Sequence, residues 1–205
     1  MRLNNNFWWF SKALSEDFCS KVIEKGFEKK PSLATIGEYE GKKLNPKTKK
    51  DLKKKRDSSI TFLEEDFIYK EIDQIINVAN FNAGWNFKLD HYQPAQFTVY
   101  GKGQHYNWHV DSSSNPYSQE HHKNFRGKIR KLSMSISLND SKEYKGGELL
   151  IDLSSPMKKE IFKIDKLKEK GTAVVFPSHL WHRVTPVTKG VRYSLVVWAL
   201  GTPWQ

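Results

Sequence analysis

From residue 87 onward, apolar residues recur at every second position in short runs broken by glycine, proline, asparagine and serine. A period of two sends successive side chains to opposite faces, so such runs build sheets with a buried face. "AQFTVYG", "HYNWHVD", "KLSMSISLN", "GGELLID", "GTAVVFP" and "VRYSLVVWAL" give six or seven strands. In "KLSMSISLN", Leu132, Met134, Ile136 and Leu138 point one way and Ser133, Ser135 and Ser137 the other. Three small hydroxyl side chains on one face mark either solvent or the lining of a polar cavity.

Upstream the period is helical. "LSEDFCSKVIEKGFEKK" has Ser15 as cap, acids in its first turn and an apolar face of Phe18, Val22, Ile23 and Phe27. Residues 31–57 read as a long polar connection. "SSITFLEEDFIYKEIDQIINVANFNAGW" then holds a short strand and a second helix with Ile68, Ile72, Ile75, Ile76 and Ala79 in register. Helices followed by strands predict a mainly β fold, an antiparallel sandwich or barrel with N-terminal helices packed on one sheet. At 205 residues the chain is expected to form one domain, 1–86 as helical support and connecting loop and 87–205 as the β core.

The net charge of +11 first suggests nucleic acid. Much of the excess lies in "NPKTKKDLKKKRD" (45–57), without the interleaved aromatics that stack bases. This run reads as a solvated, mobile loop, with contact to an acidic partner as the alternative, and a nucleic-acid partner is not expected. No stretch approaches the roughly 18 apolar residues of a membrane span. The N-terminus lacks the pattern of a secretory signal, and a single cysteine, Cys19, allows no internal disulfide. The expected compartment is the cytoplasm. Oligomeric state is not legible.

The chemistry concentrates in "HYNWHVD". On a strand, His109 and Asp111 would share a face roughly 6.5–7 Å apart and reach one ion. "FPSHLWHRV" offers a third ligand in His179 or His182, and spacing leaves that choice open. His105, His121 and His122 read as loop residues. Two histidines and a carboxylate suit a non-haem Fe(II) oxygenase. Arg192, ten residues after His182, could grip the far carboxylate of a dicarboxylate bidentately. Two other classes compete: a cupin-like metalloenzyme that uses no dicarboxylate co-substrate, and a non-enzymatic basic module that binds acidic polymer.

Together, "YGKGQHYNWHVD", "GGELLI" and "GTAVVFPSHLWHRVTPVTKGVRYSLVVW" resemble the 2-oxoglutarate/Fe(II)-dependent dioxygenases, in their prolyl 4-hydroxylase-like branch. "LSEDFC" and "RDSSITFL" resemble the entry helix and following strand of that branch. The resemblance implies a double-stranded β-helix (jelly roll) core. It places His109, Asp111 and His182 on the metal-ligand positions and Arg192 on that of the 2-oxoglutarate C5 carboxylate. Tyr100 matches a tyrosine that hydrogen-bonds the co-substrate, Ser194 a serine that assists at the same carboxylate, and Tyr106 a residue lining the entrance. The implied reaction is hydroxylation with Fe(II), 2-oxoglutarate and O2, ascorbate serving as reductant. With this pocket in place, the serine face of 133–137 reads as cavity lining. Arg192 stands where many animal and algal prolyl 4-hydroxylases use lysine, so collagen-like substrates are not inferred. The expected substrate is a prolyl residue in a peptide or protein, received by Tyr106, Trp108, Tyr117 and Phe125, with loop 112–128 and the lysine-rich run best placed to contact it. The alternatives are a free amino acid or other small molecule.

Overall fold

The structure is a computed structural model that describes residues 5–34 and 45–204. Strands and helices are numbered in chain order. The larger sheet holds β1 (Trp8–Phe10), β2 (Ser32–Leu33), β4 (Ser59–Leu63), β5 (His91–Tyr92), β6 (Ala95–Tyr100), β8 (Ile129–Ser137), β12 (Ala173–Pro177) and β15 (Arg192–Gly201). Its order is β1-β12-β8-β15-β6-β4-β2, with β5 also on β15. The smaller sheet holds β3 (Arg56–Asp57), β7 (His105–His109), β10 (Leu149–Asp152), β11 (Ile161–Lys163) and β13 (Trp181–Val184), in the order β11-β10-β13-β7-β3. A hairpin pairs β9 (Tyr144–Gly146) with β14 (Val187–Gly190). Mostly β, antiparallel in its pairings and helix-backed, this matches the expected jelly-roll core.

Side-chain parity on β15 explains the layering. Leu195, Val197 and Ala199 face one way, into a core shared with Leu132, Met134 and Ile136 of β8. That core is capped by α1 (Glu16–Glu28) through Phe18, Cys19 and Val22, and by α3 (Asp66–Asn82) through Ile68, Ile72, Ile76 and Ala79. Arg192, Ser194, Val196 and Trp198 face the other way, into the space between the sheets. Here Leu149, Ile151, Phe176 and Val184 form a second, smaller core.

α1 starts as expected, the Ser15 hydroxyl accepting from the Phe18 amide at 3.0 Å. Its buried face differs at one end. Phe27 is 46% exposed, and Gly26 takes the buried place, packed so tightly on β6 that an added Cβ would lie 2.2 Å from the Phe97 ring. Residues 45–57 are not a loop. They form α2 (Pro46–Lys55) followed by β3, with Asn45 Oδ1 accepting from the Thr48 amide at 2.8 Å and Pro46 at the start of the helix. Asn-Pro signals a turn from sequence, yet the same pair caps a helix here, because proline has the right φ for a first turn and needs no amide partner. The N-terminal segment therefore supplies β1 to β4 as well as helices. No helix among the described residues is long and apolar enough to cross a membrane.

Candidate metal centre

β7 and β13 meet with His109 opposite His182 and Tyr106 opposite Val184. Between these pairs one residue of β13, Arg183, thus stands against two of β7, Asn107 and Trp108. This bulge breaks the strict alternation of β7 and turns both Tyr106 and His109 into the cleft between the sheets. Asp111 is not on the strand, as alternation predicted, because β7 ends at His109. Instead the Asp111 and Ser112 amides both donate to the Ser178 carbonyl at 2.9 Å, which folds the carboxylate back toward the histidines.

One donor atom from each of His109, Asp111 and His182 lies within 4.8 Å of the other two. His182 Nε2 is 3.4 Å from Asp111 Oδ2, and His109 Nε2 is 3.7 Å from Oδ1. Nδ1 of His109 faces the Asn107 carbonyl at 2.8 Å, and Nδ1 of His182 faces the Leu180 carbonyl at 2.9 Å. A carbonyl only accepts, so each Nδ1 carries a proton, which leaves each Nε2 as the nitrogen that faces the centre and offers its lone pair to a metal. Burial, reinforced by His182, holds His109 down to about 3. Burial also opposes charge on His182, but the Asp111 carboxylate outweighs it and raises that histidine. Asp111 itself is pushed up by burial, yet the two imidazoles keep it well below the usual carboxylate range. A buried carboxylate drawing positive charge between two imidazoles suits a divalent cation.

The sequence left His179 or His182 open, and the structure brings only His182 to the cluster. His179 packs edge-on against Trp204, with ring centroids 5.9 Å apart. His105 turns to the carbonyls of Gly103 and Lys54. Tyr106 stacks on His109 at 3.5 Å, and burial pushes its hydroxyl up to about 12.

The cleft contains about 430 Å³ of unfilled space, its mouth included, and is lined by Tyr100, Tyr106, Ser135, Arg192 and Ser194 besides the cluster. Arg192 is 2% exposed, and its Nη1 donates to Ser194 Oγ at 3.2 Å. Its guanidinium carbon lies 5.5 Å from the Tyr100 ring centre, and burial raises that tyrosine's pKa. Among the described residues, no ion pair involves Arg192. A buried cation without a counter-charge is costly, so the site fits an anionic ligand. "GGELLI" makes the room: a Cβ on Gly147, whose φ is +64°, would lie 2.8 Å from Arg192 Cδ.

Three expected substrate contacts, Trp108, Tyr117 and Phe125, lie outside the cleft lining. Trp108 does not line the cleft and is half-buried beside Arg183, whose guanidinium carbon is 5.6 Å from its ring. Tyr117 hydrogen-bonds Gln93 at 3.0 Å and packs near Phe125, also outside the lining. Of the serine face, Ser133 donates to Asp111 Oδ2 at 2.8 Å and Ser135 lines the cleft, whereas Ser137 donates to the Asn139 carbonyl.

Three residues escaped the sequence reading. Ser178 shapes the Asp111 turn and shares a 2.9 Å hydroxyl contact with Ser133. Trp198, four residues after Ser194, lines the cleft with its buried Nε1 unpartnered. Arg56 is 5% exposed, lies 4.5 Å from the Tyr106 ring centre and leaves Nη2 without a partner. Parity on β15 could have identified Trp198. Arg56 was hidden in a lysine run.

Residues 95–200 match the family described as the 2OG-Fe(II) oxygenase superfamily. The chain belongs to that superfamily. The matched span contains all three clustered residues and Arg192, and the donor set fits Fe(II) as the chemistry of two imidazoles and one carboxylate requires. A "PKHD-type hydroxylase" of Pseudoalteromonas atlantica is 34% identical over 107 residues, 51% of this chain and 42% of that protein. The chain thus spans about two-fifths of the length of the curated relatives it matches. Two solved folds are similar at a TM-score of 0.65. One is a Pseudomonas putida prolyl-4-hydroxylase, 19% identical, covering 95% of this chain and 92% of that one. The other is a Trichoplax adhaerens prolyl hydroxylase in complex with a hypoxia inducible factor peptide fragment, 18% identical, covering 95% and 83%.

Proposed function

We propose that this oxygenase hydroxylates a prolyl residue in a peptide or protein, using Fe(II), 2-oxoglutarate and O2. The observation that carries the reading is the pairing of the His109–Asp111–His182 cluster with the uncompensated Arg192 across one cleft. When bound, iron and 2-oxoglutarate supply the oxidising chemistry, with succinate and CO2 as co-products. The chain's part is orientation and exclusion of water. His109, Asp111 and His182 hold the metal, and the carbonyls of Asn107 and Leu180 fix the two rings. Arg192, steadied by Ser194 and Tyr100, anchors the distal carboxylate of the co-substrate. Tyr106 walls the metal on the side of β3. The segment 87–205 carries the site, and 1–86 buttresses it and contributes Arg56.

The prolyl reading draws support from the similar prolyl hydroxylases, one of them peptide-bound. The test is an anaerobic titration with Fe(II) and then 2-oxoglutarate, followed by visible absorption. A charge-transfer band that disappears in His182→Ala and needs far more 2-oxoglutarate in Arg192→Ala is the expected result. No band in folded, iron-loaded wild type would overturn the cofactor assignment. Succinate release stimulated by free proline or other free amino acids but by no prolyl peptide would overturn the substrate assignment.

A further inference from the structure

α2 is an unusual helix for its place. It carries Lys47, Lys49, Lys50, Lys53, Lys54 and Lys55 against one acid, Asp51, so its formal charge is +5 of the chain's +11. Leu52 is its one buried residue, so core packing does not explain the sequence. Lys53, Lys54 and Lys55 in the last turn favour the helix dipole. Lys47, Lys49 and Lys50 do the reverse, because they stand near the positive N-terminal end, where no acid is present. Lys49 and Lys53, and Lys50 and Lys54, also repeat like charge four residues apart, which weakens a helix. Only Lys54, to Asp51 at 2.9 Å, and Lys53, to Asp57 at 3.5 Å, form ion pairs among the described residues. The charge of Lys47, Lys49 and Lys50 is thus placed against the helix's own stability and forms no ion pair among the described residues.

Its position links it to the cleft. α2 runs directly into β3, which pairs with β7 through Arg56 opposite Tyr106 and Asp57 opposite His105. The Lys54 carbonyl is 3.3 Å from His105 Nε2. Arg56, the residue that ends the helix, lies over Tyr106, which stacks on His109. One unbroken stack therefore joins the cationic helix to a residue of the metal cluster.

We infer that α2 is a docking surface for an acidic segment of the substrate polypeptide, held beside the cleft so that the residue to be hydroxylated enters past Tyr106. This deepens the peptide-substrate reading and rests on it. Lysines on a helix with no exposed aromatic fit carboxylates along an extended chain and provide no platform on which bases could stack.

The test is fluorescence anisotropy of a labelled glutamate–alanine peptide with one central proline, using its glutamine–alanine counterpart as control. Both are measured on the full chain without iron or 2-oxoglutarate, at low and high salt. The variant is Lys47→Glu with Lys49→Glu and Lys50→Glu, which puts acids at the helix N-terminus, where they favour the fold. The expected result is salt-sensitive binding of the acidic probe, weaker by roughly tenfold or more in the variant, and little binding of the neutral probe. Equal binding by wild type and variant, or by both probes, would overturn the inference. So would a single-stranded oligonucleotide of matched charge binding more tightly than the peptide. Because binding is read without turnover, failure of every prolyl peptide in the succinate assay would count against the substrate reading alone.

Discussion

The Ser133 hydroxyl donates to Asp111 Oδ2 at 2.8 Å, joining the larger sheet to the turn that follows β7 of the smaller one. That bond ties the carboxylate of the cluster to β8, from which Arg130 Nη1 also donates to the Asp111 carbonyl at 3.5 Å. Ser133→Ala should keep the fold and lower Fe(II) affinity by roughly 10- to 100-fold. Anaerobic metal titration beside far-ultraviolet circular dichroism checks both halves of that expectation.

Gly147 leaves room for Arg192, and its backbone lies in the left-handed region. Gly147→Ala should push the guanidinium and raise the KM for 2-oxoglutarate by roughly tenfold. Arg192→Lys should raise it at least as far, because an ammonium cannot grip a carboxylate bidentately. Steady-state succinate release at varied 2-oxoglutarate measures both. An unchanged KM in Arg192→Lys would remove Arg192 from the co-substrate site.

Gly26 lets α1 approach the ring of Phe97. Gly26→Ala favours the helix by intrinsic propensity but overpacks this contact, and overpacking should win by about 1–3 kcal/mol. Urea denaturation of the two proteins would show it as a lower midpoint at an unchanged slope.

Cys19 is fully buried, its Sγ 4.0 Å from the Ser137 carbonyl, and burial pushes its thiol up to about 11. The folded state therefore holds a proton that the unfolded chain releases near its ordinary value of 9.0. This contribution is whole below pH 9 and is lost as pH rises from about 9 through 11. Cys19→Ala should flatten that part of the stability profile. A thiol reagent at pH 8 should label the folded protein far more slowly than the urea-unfolded chain.

What could be read from the residues alone was whatever the local period determines. The alternation of Leu132, Met134 and Ile136 against Ser133, Ser135 and Ser137 outlined β8 and its two faces before any partner strand was known. The residue types at 109, 111 and 192 likewise carried their chemistry in their spacing, whereas spacing left the third ligand open between His179 and His182. What escaped depends on pairing. The bulge at β7 exists only against β13, so Tyr106 and His109 could not be seen to share a face. Asp111 reaches the cluster through the Ser178 carbonyl, a backbone bond between residues 67 positions apart. Trp108 and Tyr117 were chosen for their nearness in sequence to the metal motif, and nearness along a bulged strand and its following loop says little about direction. α2 was missed because Asn45 and Pro46 serve equally well to turn a chain or to begin a helix.

The solitary Arg192 has one more consequence. A carboxylate introduced beside it would relieve the empty protein of an unneutralised charge and raise its melting temperature, while occupying the place meant for a diacid. Thermal robustness and co-substrate affinity are therefore in opposition at this one position. Variants selected for heat tolerance alone should drift toward a sealed, better-melting, inactive barrel.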